Sequence, residues 1–191
     1  VEVGGGITSL TSIVKKTKGL GLLMAGLEKA KDLQQVIFRT GMSLLERKQI
    51  KNLKLYRLCV LTEGSIPDLH LFNNPLILSK LGLWLLDSIA EIEFSSSKTS
   101  TLKPLVVAGL DTITDTYLVI GLAPKYPRGM TSTEKSKLLQ QESTLVITRL
   151  NTFSVAFQRV ANTAGAKVRI DSFDSTVIEI RKDDLSPFLE R

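Results

Sequence analysis

The segment from Asn74 to Phe94 constrains the fold more than any other part of the chain. Asn74-Pro75 reads as a helix N-cap followed by proline at the first helical position, where its missing N–H costs nothing. Between Pro75 and Phe94 only Lys80, Asp87 and Glu91 make a polar stripe, and the other sides are apolar. A helix of that kind has to lie in a core, with other elements packed around it. Trp84, amid Leu81, Leu83, Leu85 and Leu86, is expected to belong to that core. The run Leu81–Leu86 is stopped by Lys80 and Asp87, and no uncharged apolar stretch reaches the roughly 18 residues of a membrane-spanning helix.

Three helices are expected before it. Ile7, Leu10, Ile13 and Val14 fall at helical spacing, with Lys15, Lys16 and Lys18 at the C-terminal end, where cations suit the helix dipole. Gly19 and Gly21 punctuate. From Leu22 to Thr40, positions 23, 27, 30, 33 and 37 mark the apolar face of a second helix, and Gly41 is expected to end it. Met42–Lys54 reads as a third helix, with Met42, Leu45, Ile50 and Leu53 on one side. Arg47, Lys48, Lys51 and Lys54 form an exposed basic face on the other. Residues 55–61 fit either a helix extension or a strand, and 64–74 read as a loop.

After the central helix, Leu105–Ala108 and Tyr117–Leu122 read as a β-hairpin rich in β-branched residues. Thr131-x-x-Glu134 is a capping box. From Leu138 to Ala164 apolar residues recur at three- and four-residue spacing, so Ser132–Ala164 is expected to be one helix stopped by Gly165. Val168 and Ile170, then Ile178 and Ile180, flank a turn and predict a second hairpin. The expected class is therefore α+β: N-terminal helices plus two helix–hairpin units, with long helices packed on one face of a small antiparallel sheet. The organisation expected is a single domain over 1–191, with a basic helical region at 1–62 and a helix–hairpin–helix–hairpin core at 63–191.

Charge is the main functional signal. Residues 1–62 hold 11 Lys and Arg against 4 Asp and Glu, whereas the other 129 residues hold 14 against 15. Groups that usually do chemistry are scarce. The chain has one His and one Cys, too few for a self-contained zinc site, and a Cys-His or Ser-His-Asp mechanism would have to use His70 as its base. His70 is expected in a loop and Cys59 as a buried structural thiol. Asp111 and Asp115 bracket a turn, where aspartate favours local hydrogen bonds. With Asp68 or Asp87 they match neither a calcium loop nor an acid/base pair. Gly19-x-Gly21 starts like a dinucleotide loop, but lysines rather than a strand precede it. No catalytic, cofactor-binding or metal-binding residue is assigned, and no cofactor is expected.

The expected function is a non-enzymatic structural or assembly protein, viral matrix-like in profile. Its basic helical N-terminal region would bind an acidic surface, an anionic membrane, through Lys15, Lys16, Lys18, Arg47, Lys48, Lys51, Lys54 and Arg57. One alternative is a sequence-nonspecific, nucleocapsid-type nucleic-acid-binding protein; only Phe38 and Tyr56 offer stacking platforms in the basic third. Another is an enzyme using carboxylates and lysines. The partners expected are an anionic lipid surface or nucleic acid, and a second copy of the chain, because a projecting 132–164 helix would leave an apolar stripe uncovered. No small-molecule substrate is evident. A lone cysteine and the lack of a glycosylation sequon point to an intracellular place, cytoplasmic, membrane-peripheral or in a virion. The start at Val1 is expected of a trimmed or processed product.

Overall fold

A computed structural model describes residues 6–97, 103–133, 136 and 151–190, with backbone alone for 6–18, 97 and 164. In chain order, helix α1 (Gly6–Glu46) leads to strands β1 (Ile50–Asn52) and β2 (Arg57–Leu61). A 3-10 turn (Leu69–Asn73) and helix α2 (Pro75–Ser97) follow, then strands β3 (Leu105–Asp111) and β4 (Thr116–Leu122). Helix α3 (Phe153–Ala164), strands β5 (Val168–Ile170) and β6 (Val177–Arg181), and helix α4 (Leu185–Leu189) complete the described residues. The chain divides into two compact units, Val1–Arg39 and Thr40–Arg191.

The class is α+β, as the patterning predicts. Six strands form one sheet in the order β1-β2-β3-β4-β6-β5. All pairings are antiparallel except β2 with β3, which α2 joins as a parallel crossover. Both expected hairpins are present, β3–β4 and β5–β6. The Asn74 cap is also present: its side-chain oxygen accepts the Leu76 N–H at 2.9 Å.

Opposed residues of an antiparallel pair share a face of the sheet. Leu105 with Leu122 and Val107 with Ile120 therefore face one way, and Val106 with Gly121 and Ala108 with Val119 face the other. Helix α2 covers the first face, where Gly82 lies against the side chains of Leu122 and Val107. Helix α3 covers the second, where the Phe153 ring occupies the space above Gly121. Helices thus lie on both faces rather than one. This is why β3 is buried at every position from Leu105 to Leu110 and reads as an unbroken apolar run instead of an alternation. Leu78, Leu81 and Leu85 of α2 are fully buried. Trp84 is half-buried rather than enclosed, with its ring against Gly41 in the last turns of α1.

Three local expectations are corrected. The first concerns the N-terminal region, where one 41-residue helix replaces three. A glycine inside a helix costs about 1 kcal/mol relative to alanine but does not end it. Gly41 sits inside α1 because Trp84 leaves no room there for a Cβ. The helix stops at Glu46, where Lys48 adopts the left-handed conformation at φ 52°. Lys48 N–H then donates to Leu45 O at 3.1 Å and Gln49 N–H to Leu44 O at 3.0 Å, a Schellman end.

Second, the Met42–Lys54 helix does not exist. Its C-terminal half is the turn at 47–48 and strand β1, and the undecided stretch 55–61 contains strand β2. Third, Ser132–Ala164 is not one helix, because Asn151 and Thr152 interrupt it. Asn151 Nδ2 donates to Gly121 O at 2.8 Å, and its Oδ1 accepts the Phe153 N–H at 3.2 Å. One side chain therefore anchors the segment to β4 and starts α3. Gly165, at φ 66°, ends α3 as expected. Glu134 of the expected capping box and residues 137–150 lie outside the described residues.

Candidate interaction surfaces

The expected binding residues separate into three groups. Lys15, Lys16 and Lys18 lie on the described backbone of α1, with side chains outside the described residues. Arg47, Lys48, Lys51 and Lys54 are all exposed. They sit on the Schellman turn, on β1 and on the turn after it, not on one helix face. Arg57 departs from the set. Its residue is 5% exposed, and one guanidinium nitrogen donates to both carboxylate oxygens of Glu93 at 2.6 and 2.8 Å. A second nitrogen donates to Lys103 O at 3.0 Å. Arg57 starts β2, and Glu93 lies on α2, so this charge-assisted pair clamps helix to sheet. From sequence, Arg57 looks like any other cation of the basic third; only the strand it begins reveals that it turns inward.

The reactive groups have structural surroundings. Cys59 lies on β2 at 0% exposure, and burial pushes its thiol up to about 12, so at neutral pH it is protonated and not a nucleophile. Asp111 Oδ1 accepts the Ile113 N–H at 2.9 Å, and Asp115 pairs with Lys182 at 3.1 Å. Asp87 pairs with Lys125 at 3.2 Å. Among the described residues no group of three His, Cys, Asp or Glu side chains could hold a metal ion, and no helix is long and apolar enough to cross a membrane. An open cavity of about 450 Å³ lies at the C-terminal ends of β2 and β3, lined by Arg47, Ser65, Ile66, Leu69, His70 and Thr112. Exposed His70 and Arg47 stand at its rim.

Two apolar features are exposed. In the first unit, every residue from Gly19 to Asp32 is exposed, including Leu20, Leu22, Leu23, Met24 and Leu27. The apolar set at 23, 27, 30, 33 and 37, read as one face of a helix, is not buried as a unit. It is exposed at Leu23, Leu27 and Ala30 and buried only at Ile37. In the second unit, the β5–β6 turn presents a fully exposed Phe173. Asp171 Oδ1 accepts the Phe173 and Asp174 N–H groups at 2.8 and 2.9 Å, and these bonds hold its carboxyl below the ordinary range. The signal available beforehand was the pair of turn-forming aspartates around a lone aromatic.

Residues 8–191 match the sequence profile of the CDC45 family. Over 170 residues the chain is 49% identical to cell division control protein 45 of Saccharomyces cerevisiae, a match covering 89% of this chain and 24% of that protein. It is 38% identical over 168 residues to the Schizosaccharomyces pombe homolog, covering 88% and 24%. With the human homolog it shares 30% over 172 residues, covering 90% and 27%. The chain thus spans about a quarter of the length of these relatives. The fold resembles the crystal structure of CDC45 from Entamoeba histolytica, with a TM-score of 0.54, 21% identity, and coverage of 83% of this chain and 26% of that one.

These matches overturn the expected viral matrix-like, membrane-binding protein and its nucleocapsid-type alternative: the relatives are cell division control proteins of eukaryotes. The basic surplus that suggested an anionic lipid partner is a charge distribution, and charge alone does not distinguish one polyanion from another. The case for a homo-oligomer rested on an uncovered stripe of a 132–164 helix. In the described part of that stripe Phe157 is buried, with ring centroids 5.2 Å from Phe153 and 5.8 Å from Phe188, whereas Leu138 and Leu139 lie outside the described residues.

Proposed function

This chain belongs to the CDC45 family, and we propose that it is a non-catalytic part of a eukaryotic DNA replication factor that acts in the nucleus by holding other macromolecules. The observation that carries the reading is the family match over residues 8–191, nearly the whole chain. The surroundings of the chemically capable groups support it: the lone thiol is buried and protonated, and Asp87 and Asp115 are paired with lysines. DNA is the acidic partner in this reading. Arg47, Lys48, Lys51 and Lys54 are exposed and close in sequence, which suits contact with phosphates without base reading. Lys15, Lys16 and Lys18 join that set by sequence, and Arg57 leaves it.

The test is replacement. In S. cerevisiae, the matching quarter of cell division control protein 45 is exchanged for this chain. Growth and S-phase progression at near-normal rates are expected. A chimera that accumulates to normal levels yet cannot support replication overturns the reading.

A further inference from the structure

Residues 19–32 of α1 form a helix whose stability the described residues do not explain. Every residue there is exposed, so among the described residues none covers it. Gly19, Gly21 and Gly26 lie within it, each unfavourable by about 1 kcal/mol against alanine in a helix interior. Most helical stability in proteins comes from burying an apolar face rather than from propensity. Such a face exists. Leu20, Leu23, Met24 and Leu27 follow the i, i+3, i+4, i+7 spacing and cover about 100° of the helix circumference. They are 59%, 67%, 52% and 62% exposed. Gly19, Gly26 and Ala30 border this stripe on one side, where their small size lets another backbone approach closely. Lys29 lies on the opposite side. This is the pattern of a helix that lays its apolar face into a groove.

We propose that the Leu20–Leu23–Met24–Leu27 stripe is the face on which the remainder of a longer CDC45-type polypeptide packs. The occupant follows from length: the S. cerevisiae relative matches 89% of this chain with only 24% of its own, so about three quarters of such a protein lies beyond the match. An intramolecular occupant also accounts for a row of exposed apolar side chains, which on a free protein would be an aggregation liability. The inference rests on family membership and not on the replication role or on DNA binding.

The test uses thiol accessibility. Leu23→Cys and, separately, Lys29→Cys are introduced into the 191-residue chain and into the full-length protein that carries it. Alkylation at each site is followed by peptide mass spectrometry. In the 191-residue chain both sites should react at the rate of a free exposed thiol. In the full-length protein, Leu23→Cys should slow at least about tenfold while Lys29→Cys is unchanged, because reactivity follows exposure. Met24→Cys gives a second reading of the same face should Leu23→Cys weaken the packing. Equal rates at positions 23 and 24 in the two proteins overturn the inference. Protection that appears only at high concentration, or only on adding other replication proteins, also overturns it, since the occupant is then a second copy or a foreign partner. Replication activity is not part of the readout, so failure here and failure of the chimera are distinguishable.

Discussion

Residues 105–110 and residues 19–27 are both apolar and glycine-containing, and the protein treats them in opposite ways. LVVAGL in β3 is buried at all six positions between helices on both faces of the sheet. GLGLLMAGL in α1 is exposed at all nine. The difference shows that apolar content does not fix burial within one chain. What fixes it is whether the chain itself supplies the covering elements. The sheet is self-sufficient: β2, β4, α2 and α3 all come from this sequence. The helix in the first unit has an apolar face prepared for something else.

The sharpest way to break this comparison is to cut the sheet core. Ile120, 1% exposed and opposite Val107, should lose about 2–5 kcal/mol on truncation to alanine, read by chemical denaturation. A loss below about 1 kcal/mol would mean the sheet is not the stabilising half. Alkaline pH probes the same region next. Burial raises the Cys59 thiol to about 12 in the folded protein. A raised folded value means its contribution is complete below the unfolded value near 9 and is lost as pH rises from there towards 12. The slope is up to about 1.4 kcal/mol per pH unit. Burial raises the Tyr56 phenol as well, and its hydroxyl donates to Leu189 O at 2.8 Å, so it acts with the same sign. Stability of the parent should therefore fall above pH 9, and Cys59→Ala should flatten that fall.

A smaller loss is expected where sheet and α3 meet. Gly121→Ala puts a methyl group where the Phe153 ring sits, and should cost about 1–3 kcal/mol while exposing α3 to proteolysis before the rest. The smallest effect belongs to the other side of the comparison. Leu23→Lys with Leu27→Lys in the isolated chain should change the midpoint of unfolding by no more than about 0.5 kcal/mol. A large loss from these two exposed positions would erase the contrast between the regions.

The parts legible in the sequence were those encoded locally. Asn74-Pro75 and the one-sided polar stripe gave α2, and the β-branched runs gave both hairpins. Gly165 closed α3. The illegible parts depend on distant partners. Strand β2 is a five-residue apolar run whose parallel neighbour β3 begins 48 positions later, so no local period marks it. Arg57 gave no sign of turning inward because its acceptor, Glu93, is supplied by the crossover helix. Glycines 19, 21 and 41 resembled breaks, but helix ends are set by a left-handed residue and its hydrogen bonds, here at Lys48. Among the proposed binding residues, the exposure of Arg47, Lys48, Lys51 and Lys54 was legible, but the helix expected to carry them is a turn and strand β1 instead.

The Asn151 side chain has a consequence for which residues position 151 can accept. It ties β4 to α3 with a donor and an acceptor at once, giving its Nδ2–H to Gly121 O and taking the Phe153 N–H at Oδ1. Aspartate keeps the acceptor and loses the donor, and alanine loses both. A short side chain that carries both groups is what latches the helix before β5 to the neighbouring strand.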